Sequence, residues 1–287
     1  QKSMFIMPFF ATVQLIMAGN DTEGLRYGVI LTPEKYYLKW KEDSDVVNPL
    51  DKHILKLCQK ERFLEVIHDF IVYDAGIKKI CRQNQFFAVK AAQKRVKERE
   101  GGIIWHTQGS GKSMIMVWLA KWIRENKTNS RVLIITDRDE LDKQIETIFK
   151  GVDEQIHRTR SGKDLVDCLN LTSPWLICSL IHKFANKIDP DYEGYIKEIY
   201  RFLPRDFSAK GDIYVYVDEC HRTQSGELHK AMKRILPNAM FIGFTGTPLL
   251  KVDKQKSIEV FGSYIHTYKF DEAVRDNVIL DLRYEAR

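Results

Sequence analysis

The stretch "WHTQGSGKSMIMVWLAKW", Trp105 to Trp122, sets two glycines, a lysine and a serine between an apolar lead-in and an apolar run of helical texture. These residue types suit the binding of a phosphate. Gly109 and Gly111 let the backbone enter conformations closed to other residues and bring N–H groups close to an anion. Lys112 adds a point charge, and Ser113 a hydroxyl suited to Mg²⁺. A helix opening at Lys112 would aim its positive dipole end at the same place. The segment Thr107, Gln108, Gly109, Ser110, Gly111, Lys112, Ser113 therefore reads as a nucleotide-phosphate cradle. It departs from the full pattern G-x-x-x-x-G-K-[ST] in one respect, since His106 stands where the first glycine belongs. The plainer alternative is a glycine turn between strand and helix that happens to carry a lysine.

A second group able to do chemistry follows the apolar run "DIYVYV", which ends in Asp218, Glu219, Cys220 and His221. A phosphate cradle needs a carboxylate beside it to hold Mg²⁺, and hydrolysis needs another group to orient or deprotonate water. Asp218 and Glu219 supply both. Taken alone, such a pair also fits a helix cap or a solvated turn. Its place downstream of the cradle favours the chemical reading.

Elements of a particular kind must position these residues. After Gly102, short apolar runs alternate with helical patterns: "GIIWH" before the helix from Lys112, "RVLIIT" before "DELDKQIETIFK", "PWLICS" before "LIHKFAN", "DIYVYV" before "GELHKAMKRIL", and "AMFIGFT" last. That alternation predicts an α/β fold with a parallel sheet covered by helices on both faces, its ligand site at the carboxyl ends of the strands. Residues 1 to about 48 have β texture, with strands over "FATVQLIM", "LRYGVI" and "KYYLKW" and a turn at "AGND". Helices are expected over "DKHILKLCQ", "ERFLEVIHDFIVYD" and "QFFAVKAAQKRVKE".

Composition sets wider bounds. The 287 residues are 44% hydrophobic, enough for a sizeable core. Five cysteines occur with no C-x-x-C pair, which argues against a zinc knuckle or disulfide framework and for a cytoplasmic setting. The most apolar stretch, "FIMPFFATVQLIMAG", is too short to span a bilayer and is not a signal peptide, so no membrane partner is expected. Since the chain opens without Met, it is read as a piece of a longer protein. The 45 basic and 39 acidic residues leave +6, compatible with a polyanionic partner without demanding one. The run "KAAQKRVKERE" fits a solvated helix face, with a nucleic-acid stripe as the alternative.

Taken together, "TQGSGKS", "DECH" and "FTGTP" resemble the first RecA-like lobe of a superfamily-two helicase or translocase. More narrowly, "WHTQGSGKS", "TDRDEL", "VDECHR", "GFTGTP" and "FGSYIHTYKFDEAVRDNVI" are similar to the motor (R) subunit of type I restriction enzymes. "LRYGVILTPEKYYLKW" looks like the end of the nuclease domain preceding that motor. The resemblance implies ATP and Mg²⁺ as cofactors, with Lys112 on the β and γ phosphates and Ser113 and Asp218 on the metal. It also implies that Glu219 activates water and that His221 links the γ-phosphate to neighbouring elements. Arg82 and Gln85 in "RQNQ" match an adenine-reading motif, although Gln85 equally suits a polar helix start. Thr245 and Thr247 match the motif coupling nucleotide state to DNA grip, or a polar turn stopped by Pro248. Thr136, Arg138, His182 and Lys183 match loops that contact the DNA backbone, where they would position a strand without reading its sequence. Burial suits Trp105, Trp118 and Trp122 better than base stacking.

The organisation so implied is the end of a nuclease-type domain over 1–59, a RecA-like lobe over 60–268 and a connection over 269–287 to a second lobe carrying an arginine finger. Asp21, Glu34 and Lys35 do not form a nuclease set, so those residues are expected upstream. The implied partners are double-stranded DNA and the methyltransferase and specificity subunits of a restriction complex. The implied activity is ATP-driven translocation on duplex DNA in support of endonucleolytic cleavage. Other readings are another superfamily-two helicase or remodeller lobe, and a nucleotide-dependent DNA-binding scaffold without turnover.

Overall fold

The computed structural model describes residues 9, 12–137, 139–180, 192–220, 225–247 and 258–281, the side chains of 139–142, 192 and 225–227 excepted. The chain divides into two compact units, 1–87 and 88–287.

In the first unit, β1 (Ile16–Asn20), β2 (Gly24–Gly28) and β3 (Leu38–Lys39) form an antiparallel sheet. The β1–β2 reversal lies at Asp21–Glu23, later than the expected "AGND" turn. Asn20 sets it there by accepting the N–H groups of Thr22 and Glu23 at 3.0 and 2.7 Å. Helix α1 (Pro49–Leu57) is capped by Asn48, which accepts from Leu50 and Asp51, with Pro49 in the first turn. Helix α2 (Lys60–Asp69) stops short of the helix expected over 61–74. Its tail instead becomes β4 (Ile71–Asp74), paired with β5 (Ile77–Ile80). The cause is Ala75-Gly76, whose φ values of 49° and 80° make the two-residue turn that suits a hairpin. Helix α3 (Gln83–Glu98) contains the boundary between the units.

The second unit is built on β6 (Gly102–His106), β7 (Ser130–Thr136), β8 (His157–Arg158), β9 (Leu176–Leu180), β10 (Asp212–Val217), β11 (Met240–Thr245) and β12 (Tyr264–Tyr268). They form one sheet in the order β12-β6-β11-β10-β7-β9-β8, with every pairing parallel. The five strands expected from the sequence are its centre; the two edge strands β8 and β12 were not foreseen. The same unit contains helices α4 (Lys112–Asn126), α5 (Asp139–Gly151), α6 (Gly162–Asn170), α7 (Tyr192–Phe202), α8 (Ser225–Ile235) and α9 (Phe270–Arg275). One sheet face, with Ile103, Leu133, Ile135, Val215 and Val217, packs against Leu165, Tyr195 and Met232 of α6, α7 and α8. Alternation sends Val132, Ile134, Tyr216 and Phe244 to the other face, where α4 and α5 lie against the sheet. Helices on both faces explain why a central strand such as β7 is buried at every position. The helix expected over "LIHKFAN" falls almost entirely outside the described residues.

The amino end of this sheet is fastened by a buried cation. Arg131 is 2% exposed, and its guanidinium donates to the carbonyls of Cys168, Leu171, Pro174 and Lys210 at 2.7, 2.5, 2.9 and 3.0 Å. Cys168 and Leu171 belong to the carboxyl end of α6, where unsatisfied carbonyls and the helix dipole both favour a cation. Burial lowers the Arg131 pKa from its ordinary value. Removing the side chain would leave several buried carbonyls without donors. We expect Arg131→Met to lose about 3 kcal/mol or more of stability, and Arg131→Lys to recover little, because an ammonium cannot span the same fork of acceptors. Chemical denaturation midpoints check this; unchanged midpoints would show that the knot is incidental.

Candidate active site

Strand β6 delivers the chain to the sheet's carboxyl edge at His106, and α4 leaves it from Lys112. Between them, Gly109 and Gly111 take φ values of 80° and 89°, a region that side chains disfavour. Gly111 immediately precedes α4 and has no side chain with which to cap it. The loop is braced from within, as Ser110 Oγ donates to the Thr107 carbonyl at 2.5 Å. Lys112 Nζ donates to the His106 carbonyl at 3.2 Å.

The strand ends beside this loop carry the acids. Asp218 N–H donates to Ile135 O at 3.0 Å and Cys220 N–H to Phe244 O at 2.9 Å, so the chain past β10 stays bound to both neighbouring strands. Glu219 between them is left-handed, with φ 49°, and its N–H donates to Asp218 Oδ1 at 3.0 Å. A left-handed glutamate is uncommon and marks a constrained turn. Asp218 is buried, and its carboxyl is pushed up to about 7. Burial is the main cause, followed by the Glu219 charge; Lys112 and the Glu219 N–H pull the other way, and Asp137 adds to the rise. Asp137, 1% exposed at the end of β7, was not among the residues expected from sequence. The available signal was positional, because β7 lies next to β10 and both strand ends must meet.

From the other side comes the turn after β11. Thr245 Oγ1 bonds both the N–H and the carbonyl of Thr247, each at 3.3 Å. Gly246 lies against the cradle so closely that a Cβ there would fall 2.8 Å from Lys112 Nζ and 3.4 Å from Gln108 N. Lys112, Asp218, Glu219 and the Thr245–Thr247 turn thus gather at one edge. Thr136 is fully buried, which removes its hydroxyl from reach of a phosphate at the surface. Trp118 and Trp122 are buried, and Trp105 is half-buried against Tyr264. In the first unit, Gln85 accepts the Arg82 N–H at 2.8 Å, a helix-start contact. Arg138, His182, Lys183 and His221 lie outside the described residues.

The donor set fits a nucleotide with a hard cation. Backbone turns with positive φ and a lysine suit phosphate, while crowded buried carboxylates need a positive charge that oxygen-loving Mg²⁺ supplies. A parallel sheet with helices on both faces, carrying a glycine-rich loop with a lysine and strand-end acids at its carboxyl edge, defines a RecA-like nucleotide-binding domain. The chain belongs to the SWI2/SNF2 ATPase family, which matches residues 84–287. Membership implies use of a nucleotide. Among curated relatives, the chain is 33% identical over 260 residues to a putative type I restriction enzyme endonuclease subunit, MjaIXP, from Methanocaldococcus jannaschii; the match covers 86% of this chain and 24% of that protein. It is 27% identical over 284 residues to the SauMSSORF170P endonuclease subunit of a type I restriction enzyme from Staphylococcus aureus, covering 94% of this chain and 29% of that one. The chain therefore spans less than a third of the length of these relatives. Its fold is similar to that of a nuclease-deletion mutant of the type ISP restriction-modification enzyme LlaGI, with a TM-score of 0.52 at 15% identity over 70% of this chain and 21% of that one. Among the described residues, no helix is long and apolar enough to cross a membrane.

Asp218 makes a pH-dependent prediction. Its folded pKa of about 7 lies above the ordinary 3.8, so the folded chain holds that proton more tightly than the unfolded chain does. The associated stability is present below about pH 4 and is lost as pH rises through 7. Without nucleotide or metal, Asp218→Asn should stabilise the chain more at pH 8 than at pH 5, by roughly 1–3 kcal/mol. Thermal melts at the two pH values test it; equal gains would contradict a charge-strained carboxyl.

Proposed function

We propose that this chain is the first RecA-like lobe of the motor in a type I restriction enzyme endonuclease subunit. On this reading it binds ATP with Mg²⁺, and hydrolysis drives translocation on double-stranded DNA in support of cleavage. The observation carrying the proposal is the convergence of Lys112, the Asp218–Glu219 pair and the Thr245–Thr247 turn at one sheet edge. The curated relatives support the restriction assignment. Residues 1–59 are then the end of a nuclease-type domain, 60–268 the lobe and 269–287 its connection onward, with methyltransferase and specificity subunits as partners.

Each residue then has a role. Residues 107–111 hold phosphate oxygens through backbone N–H groups, with Lys112 neutralising the β and γ phosphates. Ser113 and Asp218 hold Mg²⁺, which when bound offsets the charge that develops on the γ-phosphate. Glu219 orients the attacking water and takes its proton. His221 links the γ-phosphate side to neighbouring elements, and Thr245 and Thr247 couple nucleotide state to DNA grip. Arg138, His182 and Lys183 meet DNA phosphates, and Asp137 adds negative charge beside the metal.

Lys112→Ala is expected to abolish ATP·Mg²⁺ binding in calorimetry; retained affinity would refute the cradle. Glu219→Gln should bind ATP nearly as well as the unaltered protein. In the full-length protein it should lower DNA-stimulated hydrolysis by about 10²-fold or more, because the amide keeps the shape but cannot act as base.

Duplex binding should be indifferent to sequence and weaken steeply between about 50 and 200 mM salt, as phosphate contacts do. Fluorescence anisotropy with two unrelated duplexes measures both, and a strong preference for one of them would count against a motor.

A further inference from the structure

Position 106 departs from the phosphate-loop pattern, and the structure shows what its ring contacts. His106 is completely buried at the end of β6. Its Nε2 lies 2.8 Å from Nδ1 of His266 on β12. Its Nδ1 is sealed from solvent and has no hydrogen-bond partner among the described residues. A proton on that nitrogen would be a buried donor without an acceptor, so the proton belongs on Nε2 and is donated to His266. Burial lowers the pKa of both rings. The contact therefore carries a single proton between two neutral imidazoles.

Two further approaches join the same two parts of the chain, and a third contact braces the second part. Thr107 N–H donates to Tyr268 O at 2.9 Å. Tyr268 OH donates to Asp276 Oδ2 at 2.8 Å, which ties β12 to the residue after α9. A Cβ at Gly109 would lie 3.3 Å from Ile279 Cγ2. The segment 264–281 is thus one wall of the loop. An irregularity in β12 makes this possible, since Tyr264 pairs with Ile103 while His266 pairs with the very next residue, Ile104. The skipped residue, Ile265, reverses which face β12 presents. Tyr264 meets Trp105 at 5.9 Å between ring centroids, whereas His266 and Tyr268 meet His106 at 5.0 and 5.6 Å. Gly102 leaves room for this, because a Cβ there would come within 2.5 Å of Ile265 Cγ1.

We propose that His106 and His266 form a positioning pair for the phosphate loop, their ring-to-ring hydrogen bond fixing the strand end whose carbonyl holds Lys112 and from which residues 107–111 depart. The proposal rests on the reading of 107–113 as an ATP cradle. Neither ring is catalytic; they act through the backbone of the loop.

The test is ATP·Mg²⁺ affinity by calorimetry for His266→Ala, His266→Asn, His106→Gly and the double variant His106→Gly/His266→Ala, with Lys112→Ala as control. Asparagine places Oδ1 where Nδ1 of the imidazole stood and so keeps the acceptor. We expect His266→Ala to weaken ATP about tenfold, a size typical of a coupled pair. His266→Asn should stay within about threefold of the unaltered chain, and His266→Ala should cost nothing further once His106 is glycine. Equal losses for His266→Ala and His266→Asn, or additive losses in the double variant, would overturn the proposal, because general loss of packing behaves that way. Should His266→Ala fail to fold, the comparison of His106→Gln, which keeps a donor near Nε2, with His106→Leu decides by the same rule. If Lys112→Ala binds ATP as well as the unaltered chain, the cradle itself fails, and that result is read independently of the histidines.

Discussion

Charge crowding at the carboxyl edge of one parallel sheet governs the second unit. Burial raises the Asp218 pKa most, the nearby Glu219 and Asp137 raise it further, and Lys112 opposes them as a cation. Such a cluster is costly without a bound cation, because burial strengthens like-charge repulsion as much as attraction. Parallel β7, β10 and β11 bring it about by ending side by side. The backbone bonds from Asp218 to Ile135 and from Cys220 to Phe244 then prevent the acids from separating. Gly243 permits this tight closure, since a Cβ there would fall 2.6 Å from Cys220 Sγ.

The opposite end of the sheet offers the counterweight. There, charged groups are met by partners already in the chain. Arg131 is met by carbonyls, and Arg99 at the end of α3 is met by Asp212 at 2.6 Å and by the Asn238 carbonyl at 2.8 Å, with Tyr214 beneath its guanidinium. Tyr214 OH in turn donates to Asp212 at 2.6 Å. Polar groups at the amino edge are thus satisfied internally, while those at the carboxyl edge remain crowded. That asymmetry is what a rigid scaffold with a reactive rim requires.

How much of this could be read from the sequence follows from how local each signal is. The glycine turn before α4, the acidic strand end and the five central strands were legible because each is a short run whose meaning lies within a dozen residues. Strand β8 has two residues, and β12 reads "YIHTY", with polar residues that carry no buried-strand signature. Both are strands because a neighbour offers an open edge, which is tertiary information. The helix over-extended through "IVYD" failed for a local reason, since an apolar run that could continue α2 was claimed by the Ala75-Gly76 turn. Asp137 was hidden by its company: in "TDRDEL" the flanking Thr136 and Arg138 have the chemistry that reaches phosphates, and burial of the middle acid depends on where β10 ends.

His106 shows the same limit inside the most legible motif. A glycine at the mouth of a phosphate loop is useful because it has no side chain to accommodate. A histidine there must find both space and a hydrogen-bond partner, and nothing within the motif can provide either. The partner is 160 residues away, on a strand whose side chains face the right way only because Ile265 is skipped and Gly102 leaves room for it. A departure at one position is therefore offset by three features outside the motif, each unremarkable alone: a glycine at a strand start, an irregular edge strand and a second histidine. Patterns of residue types within a loop describe what touches the ligand. What holds the loop in that shape is written in whichever element packs behind it, and here that element is the edge strand that sequence periodicity did not reveal.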